Sequence, residues 1–278
     1  MTVTCSPFAV RLLGFSPAES ARLDTMLSDV PGAGPSYFCL HDYSLQEPDV
    51  VIVNGDSAAA VARLDCLPPG ALHCALVIGA PGATLWPTLA RPLERLVLHD
   101  VLADLLDQRV QAQAACVARG ERLRPERRRR LRIGPDTESP DFYARLRHGP
   151  PDGAVLIVDK ESTFHNQVAR VLGERAPARR RPLAWTDSAR AAVRLCDETP
   201  VSLVMINTAA PEIEPYGLCS TIKSQAGAGR TPVLFLVEHA FRYDVARGRH
   251  AGVRGLLDKP VAGRHLMMTF HKLLDLPV

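Results

Sequence analysis

The sequence predicts an α/β protein with two doubly wound parallel-sheet domains in tandem, joined by a helical, arginine-rich linker. Short continuous Val/Ile/Leu runs alternate with amphipathic segments, which is typical of strands buried on both faces of a parallel sheet. The chain has 278 residues, a length that suits two domains of roughly 150 residues. Similar segments also recur in the same order in both halves. The predicted boundaries are 1–108 for the first domain, 109–152 for the linker and 153–278 for the second domain.

The first half contains four strand-like runs, at 9–15, 36–40, 49–54 and 73–80. Ser16-Pro17 offers a capping side chain and then a proline for the first turn, so a helix is predicted from there to about Val30. A shorter helix is predicted over 57–67. A long apolar-periodic segment, 92–119, exceeds what one closing helix of a compact domain needs.

The second half repeats the scheme. Strands are predicted at 154–159, 182–186, 201–207, 231–237 and 255–260. Helices are predicted after the first strand to about Gly173, and at 188–196, 218–224, 242–248 and 264–274.

Three pairs of segments support a duplication. AVRLLGF at 9–15 matches AVLIVDK at 154–160, and DVVIVN matches SLVMIN, with Asn54 and Asn207 at their ends. ARPL at 90–93 parallels DKPV at 258–261. One match would be weak evidence, but three in the same order indicate a repeated domain.

Composition excludes several classes of protein. Apolar residues make up 46% and charged residues 23% of the chain, as in a soluble protein with a core. We expect no membrane span, because no apolar run reaches ~20 residues, and no signal peptide. The seven cysteines form no C-x-x-C pair and none has a histidine at metal-ligand spacing, so we expect no metal, no cofactor and a reducing, cytoplasmic location.

The second half resembles the receiver domain of bacterial response regulators, over about 153–274. VLIVDK at 155–160 is similar to the first-strand motif, SLVMINTAAP at 202–211 to the third-strand motif, and TPVLFLV at 231–237 to the fourth strand. GVRGLLDKPV at 252–261 is similar to the fifth strand with its Lys-Pro. The resemblance implies a flavodoxin-like, receiver-type fold and a role in two-component signalling.

The same resemblance implies a phosphorylation pocket that this chain has lost. Working receivers hold Mg²⁺ with an acidic pair and an aspartate that accepts the phosphoryl group. Here Asp159 is retained, whereas Lys160 takes the second acidic place and Asn207 the acceptor place. Val237 replaces the usual Ser/Thr, and Lys259 alone of the remaining positions is as in the family. We therefore expect no phosphorylation at this position.

Two interpretations of this second pocket remain. In one, Asp159, Asn207 and Lys259 are remnants that hydrogen-bond to one another, with Asn207 also capping its loop. In the other, Lys160 pairs with Asp159 and replaces the charge of the metal. The first is preferred to a working site.

The first half is more degenerate. Its equivalent pocket positions are Gly14, Phe15, Asn54, Gly79 and Arg91. Asp56 lies close by, and we interpret it as the cap of the helix near Ser57 rather than as a displaced acceptor, since no acidic pair accompanies it.

Positive charge is concentrated in the middle of the chain. Residues 109–147 carry 11 arginines against 5 acidic residues, although the whole chain has a net charge of only +3. The clustered arginines that are candidates for binding a nucleotide are Arg127, Arg128, Arg129, Arg130, Arg132, Arg179, Arg180 and Arg181. A solvated connector is the first interpretation, contact with nucleic acid or a membrane surface the second, and capture of a phosphorylated ligand such as cyclic di-GMP the third. DNA binding is disfavoured, because no helix-turn-helix, zinc finger or aromatic-interleaved strand is found.

An apolar stripe leads into this basic region. It consists of Leu96, Val97, Val101, Leu102, Leu105, Leu106 and Val110. Its first part is predicted to pack on the sheet. The remainder, to about Val117, either pairs with a second chain as a short coiled coil or lies across the second domain.

These observations favour a non-enzymatic signalling protein that acts by contact with other signalling proteins or by forming a homodimer. The resemblance implies a dimer face from the fourth helix, fifth strand and fifth helix, here about 242–274 in the second half and 91–110 in the first. A cyclic di-GMP or other nucleotide effector is the alternative. An enzyme ranks last, since the sequence offers no nucleophile–base pair, metal cluster or P-loop.

Overall fold

The structure is a computed structural model that describes residues 7–32, 34–64, 72–79, 84–119, 153–175, 181–225 and 227–274. The chain divides into two compact units, residues 1–42 with 47–135, and residues 43–46 with 136–278. The predicted start of the linker, at 109, falls inside a helix that continues to Ala118. Residues 120–152 lie outside the described part of the chain, so the domain boundaries stay a prediction.

The first unit is a five-stranded parallel sheet with helices against it. Its strands are β1 (Phe8–Leu13), β2 (Tyr37–Cys39), β3 (Val50–Asn54), β4 (Cys74–Ile78) and β5 (Thr88–Leu89). Its helices are α1 (Pro17–Ser28), α2 (Ala58–Leu64) and α3 (Arg95–Ala118). Helices α1 and α3 pack on one face of the sheet and α2 on the other.

The second unit repeats this architecture. Its strands are β6 (Ala154–Val158), β7 (Leu183–Thr186), β8 (Val201–Asn207), β9 (Val233–Val237) and β10 (Gly255–Asp258). Its helices are α4 (Thr163–Arg175), α5 (Ala189–Glu198), α6 (Pro215–Ser224), α7 (Val245–Ala251) and α8 (Gly263–Leu274). Helices α4 and α8 cover one face, and α5, α6 and α7 cover the other.

The predicted fold class is confirmed, because both sheets are entirely parallel and share one strand order. The first runs β2-β1-β3-β4-β5 and the second β7-β6-β8-β9-β10. In such a sheet the chain changes direction between the first and third strands, and the carboxyl ends of those strands line a crevice there. Asn54 and Asn207 both end the third strand of their sheet, so each lies at this crevice.

Local sequence explains where α1 begins. The Ser16 hydroxyl accepts a hydrogen bond from the Glu19 backbone N–H, and the Glu19 carboxylate accepts one from the Ser16 N–H in return. Pro17 occupies the first turn, where its missing N–H costs nothing. The predicted helix start is therefore confirmed.

The bounds of several elements differ from the sequence prediction, and β5, α7 and α3 show why. Strand β5 was not predicted, because two residues are too short for an apolar run. Helix α7 begins at Val245, three residues after the predicted start, where the Asp244 side chain caps the Arg247 N–H. Within the segment 92–119, Arg95–Ala118 form one continuous helix, α3, of 24 residues.

The apolar stripe of α3 packs only in part. Leu98, Leu102, Leu105 and Leu106 are buried on the sheet. Leu96 and Val97, which were predicted to pack, are 59% and 42% exposed, because they fall on the side of α3 turned away from the sheet. Val110 and Val117 are also exposed, and what covers them stays a prediction.

The buried cysteines give a testable consequence of this packing. Burial raises the pKa of the Cys219 thiol to about 12 and that of Cys196 to about 11. Only the thiolate reacts with alkylating reagents, so both thiols are expected to stay unmodified by iodoacetamide at pH 8 in the folded protein and to react in urea. Peptide mapping after labelling measures this, and rapid native modification of Cys219 would contradict the packing of α6.

Candidate functional site

The pocket of the second unit is built on a direct bond between two predicted residues. The Asn207 amide nitrogen donates to Asp159 Oδ1 over 2.7 Å. The Asn207 carbonyl oxygen accepts the backbone N–H of Ala209 over 3.1 Å, a turn that asparagine forms readily. Asp159 and Asn207 are 5% and 6% exposed. The Asn207 amide therefore makes two hydrogen bonds at once, one to the Asp159 carboxylate and one to the backbone of the following loop.

The other predicted residues of this pocket, Lys160, Val237 and Lys259, take no part in the hydrogen bond between Asn207 and Asp159. Lys160 is exposed, and within the described part of the chain no ion pair links it to Asp159, so the structure does not show the metal-replacing pair. Val237 is fully buried, and its carbonyl accepts the Lys259 N–H. The Lys259 ammonium lies 4.0 Å from the Glu238 carboxylate. Sequence reasoning missed Glu238, although its place directly after β9 was a signal.

This arrangement does not fit the metal ion that a phosphorylatable receiver holds. Mg²⁺ needs carboxylate and other oxygen ligands in octahedral geometry. Here one carboxylate oxygen is already bonded by an amide N–H, and a lysine occupies the second acidic place. Among the described residues, no group of three or more His, Cys, Asp or Glu side chains could hold a metal ion.

The pocket of the first unit has the same asparagine turn with a different partner. The Asn54 carbonyl oxygen accepts the Asp56 N–H over 3.1 Å, as Asn207 does for Ala209. The Asn54 amide nitrogen donates to the Gly14 carbonyl over 2.9 Å, where the second unit has a carboxylate. The repeat detected in the sequence thus extends to the hydrogen bonds of the two asparagines.

Arg91 fills the first pocket. Its guanidinium donates to the Asn54 carbonyl oxygen over 3.1 Å and to the Glu19 carboxylate over 2.9 Å. The Asp56 carboxylate lies 3.5 Å from the same guanidinium. Hydrogen bonds from Ser16, assisted by Arg91, hold the pKa of Glu19 below its ordinary value. The single positive charge of Arg91 therefore offsets part of the negative charge of Glu19 and Asp56.

Two predicted residues of the first unit have different roles from those expected. Asp56 does not cap α2, since the Ser57 hydroxyl accepts the Ala60 N–H there. Its carboxylate instead lies against Gly79, whose φ of +116° and lack of a side chain leave room for it. Phe15 packs on the core below the pocket. The contacts of Glu19 and Asp56 with Arg91 were missed, because no local pattern marks them.

The arginine clusters are almost entirely outside the described residues. Only Arg181 is described, and its guanidinium donates to the Leu274 carbonyl over 3.4 Å. Arg127–130, Arg132, Arg179 and Arg180 lie outside the described residues. No helix that the structure describes is long and apolar enough to cross a membrane.

Comparison with known proteins identifies the second unit. Residues 155–271 match the response regulator receiver domain. The response regulator PleD of Caulobacter vibrioides is 28% identical over 114 residues, which make up 41% of this chain and 24% of PleD. The match thus spans about a quarter of that relative.

Solved structures that resemble this chain are also receivers. The receiver domain of a histidine kinase from Syntrophus aciditrophicus is 26% identical, with a TM-score of 0.38 over 44% of this chain and 90% of that one. The chemotaxis response regulator CheY4 of Vibrio cholerae is 19% identical, with a TM-score of 0.39 over 44% of this chain and 99% of its own. Residues 155–271, in the second unit, are thus similar to response regulator receiver domains. The family match does not include the first unit, whose likeness rests on strand order and on the Asn54 turn.

Proposed function

We propose that the chain is a non-enzymatic signalling protein that works by binding partner proteins, its own second copy included, and that neither unit is phosphorylated at the usual position. One observation carries this proposal. In the second unit the residue at the acceptor position is an amide, Asn207, whose nitrogen donates a hydrogen bond to the Asp159 carboxylate. The experiment below tests the absence of phosphotransfer at this position.

The chemistry of Asn207 argues against phosphotransfer. An amide oxygen is a far weaker nucleophile than the carboxylate that attacks phosphorus in receivers, since its lone pair is delocalised over the C–N bond. The Ala209 N–H also engages that oxygen. Without a fitting metal site, the negative charge of an incoming phosphoryl group would meet Asp159 with no neutralising ion.

The first unit supports the same conclusion by a different route. Arg91 supplies a permanent positive charge where a phosphorylatable pocket changes its charge state. Because this guanidinium offsets one of the two carboxylate charges, a divalent cation is less strongly attracted to the pocket. Both units then present surfaces whose state is set by binding and not by phosphoryl transfer.

Receiver domains act on other signalling proteins, and the second unit is of that family. The cores on both faces of its sheet are well packed. The second unit therefore keeps a fold whose surface can bind a partner, even without a working phosphorylation pocket. A nucleotide-binding role would depend on arginines of which the structure describes only Arg181, and the bond of Arg181 to Leu274 does not favour it.

Incubation with acetyl phosphate and Mg²⁺ tests the proposal. The full chain is expected to show no added phosphoryl group by intact-mass measurement. The double variant Lys160→Asp/Asn207→Asp restores two carboxylates to the pocket and serves as the control that is expected to gain one.

A phosphoryl adduct on the wild-type chain that maps to a residue of either pocket would contradict the proposal. An adduct on the double variant alone supports it, because it shows that the reagent reaches the pocket.

A further inference from the structure

A short segment from the first half of the sequence completes the sheet of the second unit. Tyr43–Gln46 belongs to that unit, and β10 is the edge strand of its sheet. Ser44 pairs with Leu256 in a parallel bridge. The Leu45 N–H donates to the Leu256 carbonyl over 2.9 Å, and the Leu256 N–H donates to the Tyr43 carbonyl over 3.4 Å. The segment therefore satisfies backbone groups that an edge strand otherwise leaves open.

The Gln46 side chain makes the most specific contact of this segment. It is 3% exposed, and its carbonyl oxygen accepts the Asp258 backbone N–H over 2.6 Å. A backbone N–H can only donate, so this bond fixes the orientation of the amide. The Gln46 nitrogen then donates to Nδ1 of His265, 3.2 Å away and 4% exposed. A side chain with one donor and one acceptor at this spacing is what the site requires.

Leu45 fills a recess that exists because residue 255 is glycine. A Cβ on Gly255 would lie 2.5 Å from Leu45 Cγ and 2.8 Å from one of its methyl groups. Leu45 also packs against the core cluster between α4, α8 and the sheet. The edge of β10 therefore has two adjacent subsites, an apolar one that holds Leu45 and a polar one that hydrogen-bonds the Gln46 amide.

We propose that the outer edge of β10 is a recognition site for an extended Leu-Gln segment, and that its resident ligand is Leu45–Gln46 of this chain. In strand addition of this kind, backbone hydrogen bonds provide affinity and the pockets that hold the side chains provide specificity. The site covers the fifth strand of the second unit, within the face that was predicted to form a dimer. Pairing of two chains through this strand therefore requires the segment to leave. The inference stands independently of the state of Asn207.

Binding of the segment from outside tests the site. In the full-length variant Leu45→Ser/Gln46→Ala the resident side chains are removed. A labelled peptide with the sequence of residues 41–48 is expected to bind this variant in fluorescence anisotropy and to bind the wild-type chain at least about tenfold more weakly, because the wild-type edge is occupied. A peptide carrying Leu→Ser and Gln→Met is the control and is expected to lose at least about tenfold in affinity for the variant. Glu47→Ala, an exposed change beside the segment, is the matched control and should behave as wild type.

Hydrogen exchange localises the event. The Leu256 and Asp258 amides are expected to lose protection in the double variant and to regain it with the wild-type peptide, while Leu234 and Leu236 of β9 stay protected. Failure of the folded variant to bind the peptide would overturn the proposal. Equal binding of both peptides would show that the site does not select Leu-Gln and would overturn that part of the proposal. A dimer of the variant in which β10 is protected without peptide would show that a second chain covers the edge and would also overturn the proposal.

A conservative variant covers the case in which the double variant does not fold. Gln46→Met keeps the volume and removes both hydrogen bonds. It is expected to speed exchange of the Asp258 amide by about tenfold or more while Leu236 is unchanged. Unchanged exchange at Asp258 would overturn the role assigned to Gln46.

Discussion

Asn207→Asp is expected to destabilise the second unit by about 3 kcal/mol at neutral pH, because it places two carboxylates in a buried contact that an amide now bridges. The Asn207 nitrogen and Asp159 Oδ1 are 2.7 Å apart, and both side chains are buried. Like charges at this distance cannot both ionise without cost. The variant therefore tests whether the Asn–Asp bond is what holds the pocket.

The expected penalty depends on pH. The introduced carboxyl group ionises in the folded variant at a pKa above that of an unfolded aspartate, about 3.9. The loss of unfolding free energy is therefore small near pH 3, grows as the pH rises above the unfolded-state pKa of about 3.9, and is complete at neutral pH. Urea unfolding at several pH values measures it. In a Trp86→Phe background, Trp185 reports the second unit alone, because the chain has two tryptophans.

The matched control is the same substitution in the other unit. Asn54 faces the Arg91 guanidinium at 3.1 Å instead of a carboxylate. Asn54→Asp gains an ion pair and loses the bond to the Gly14 carbonyl, so the expected change is about 1 kcal/mol or less. Equal penalties for the two variants, or a penalty for Asn207→Asp that does not vary with pH, would contradict the assigned charge environments.

Gly153→Ala is expected to destabilise the second unit by at least about 2 kcal/mol. Gly153 has a φ of +143°, a conformation that side chains rarely adopt, and an added Cβ would lie 2.2 Å from the Pro200 carbonyl oxygen. Those atoms are backbone, and they lie where β6 meets β8 through the bond from Ala154 N–H to the same oxygen. The methyl group therefore has to push two central strands apart.

Gly173→Ala is the control for Gly153. Gly173 lies in α4, and an added Cβ meets nothing within 4 Å. Alanine there is expected to stabilise the helix by about 0.5–1 kcal/mol. Thermal unfolding of both variants in the Trp86→Phe background, followed by Trp185 fluorescence, measures the contrast. A neutral Gly153→Ala would mean that the junction of β6 and β8 is looser than described.

The elements set by local sequence were predictable. Apolar runs gave four strands of the first unit and five of the second, and Ser16-Pro17 gave the start of α1. The repeat in the sequence placed Asn54 and Asn207 at equivalent strand ends. These features depend on neighbouring residues, which a sequence displays directly.

The contacts that could not be predicted join residues far apart in the chain. Arg91 meets Glu19 across 72 positions, and Gln46 meets Asp258 across 212. Arg91 lies in the repeated segment ARPL, but that motif does not point to Glu19 as its partner. Gln46 lies in no motif, and glutamine in a polar stretch is ordinarily a surface residue. Strand β5 was missed for a different reason, since two residues gain their strand pairing from β4 and not from their own pattern.

The two pockets pair their carboxylates with different side chains. The second satisfies its carboxylate with an amide, and the first satisfies its carboxylates with a guanidinium. In each pocket a side chain of the chain itself contacts the carboxylate. The shared asparagine turn indicates that the loop after the third strand keeps its shape in both units.

We propose that the pocket around Asn207 receives neither a divalent cation nor a phosphoryl group. Amide NMR of the ¹⁵N-labelled full chain, titrated with Mg²⁺ and then with beryllofluoride as a phosphoryl mimic, tests it most directly. We predict no saturable shift change at the amides of Asp159, Asn207, Ala209 and Lys259. Saturable changes at these amides that depend on Mg²⁺ would contradict the account.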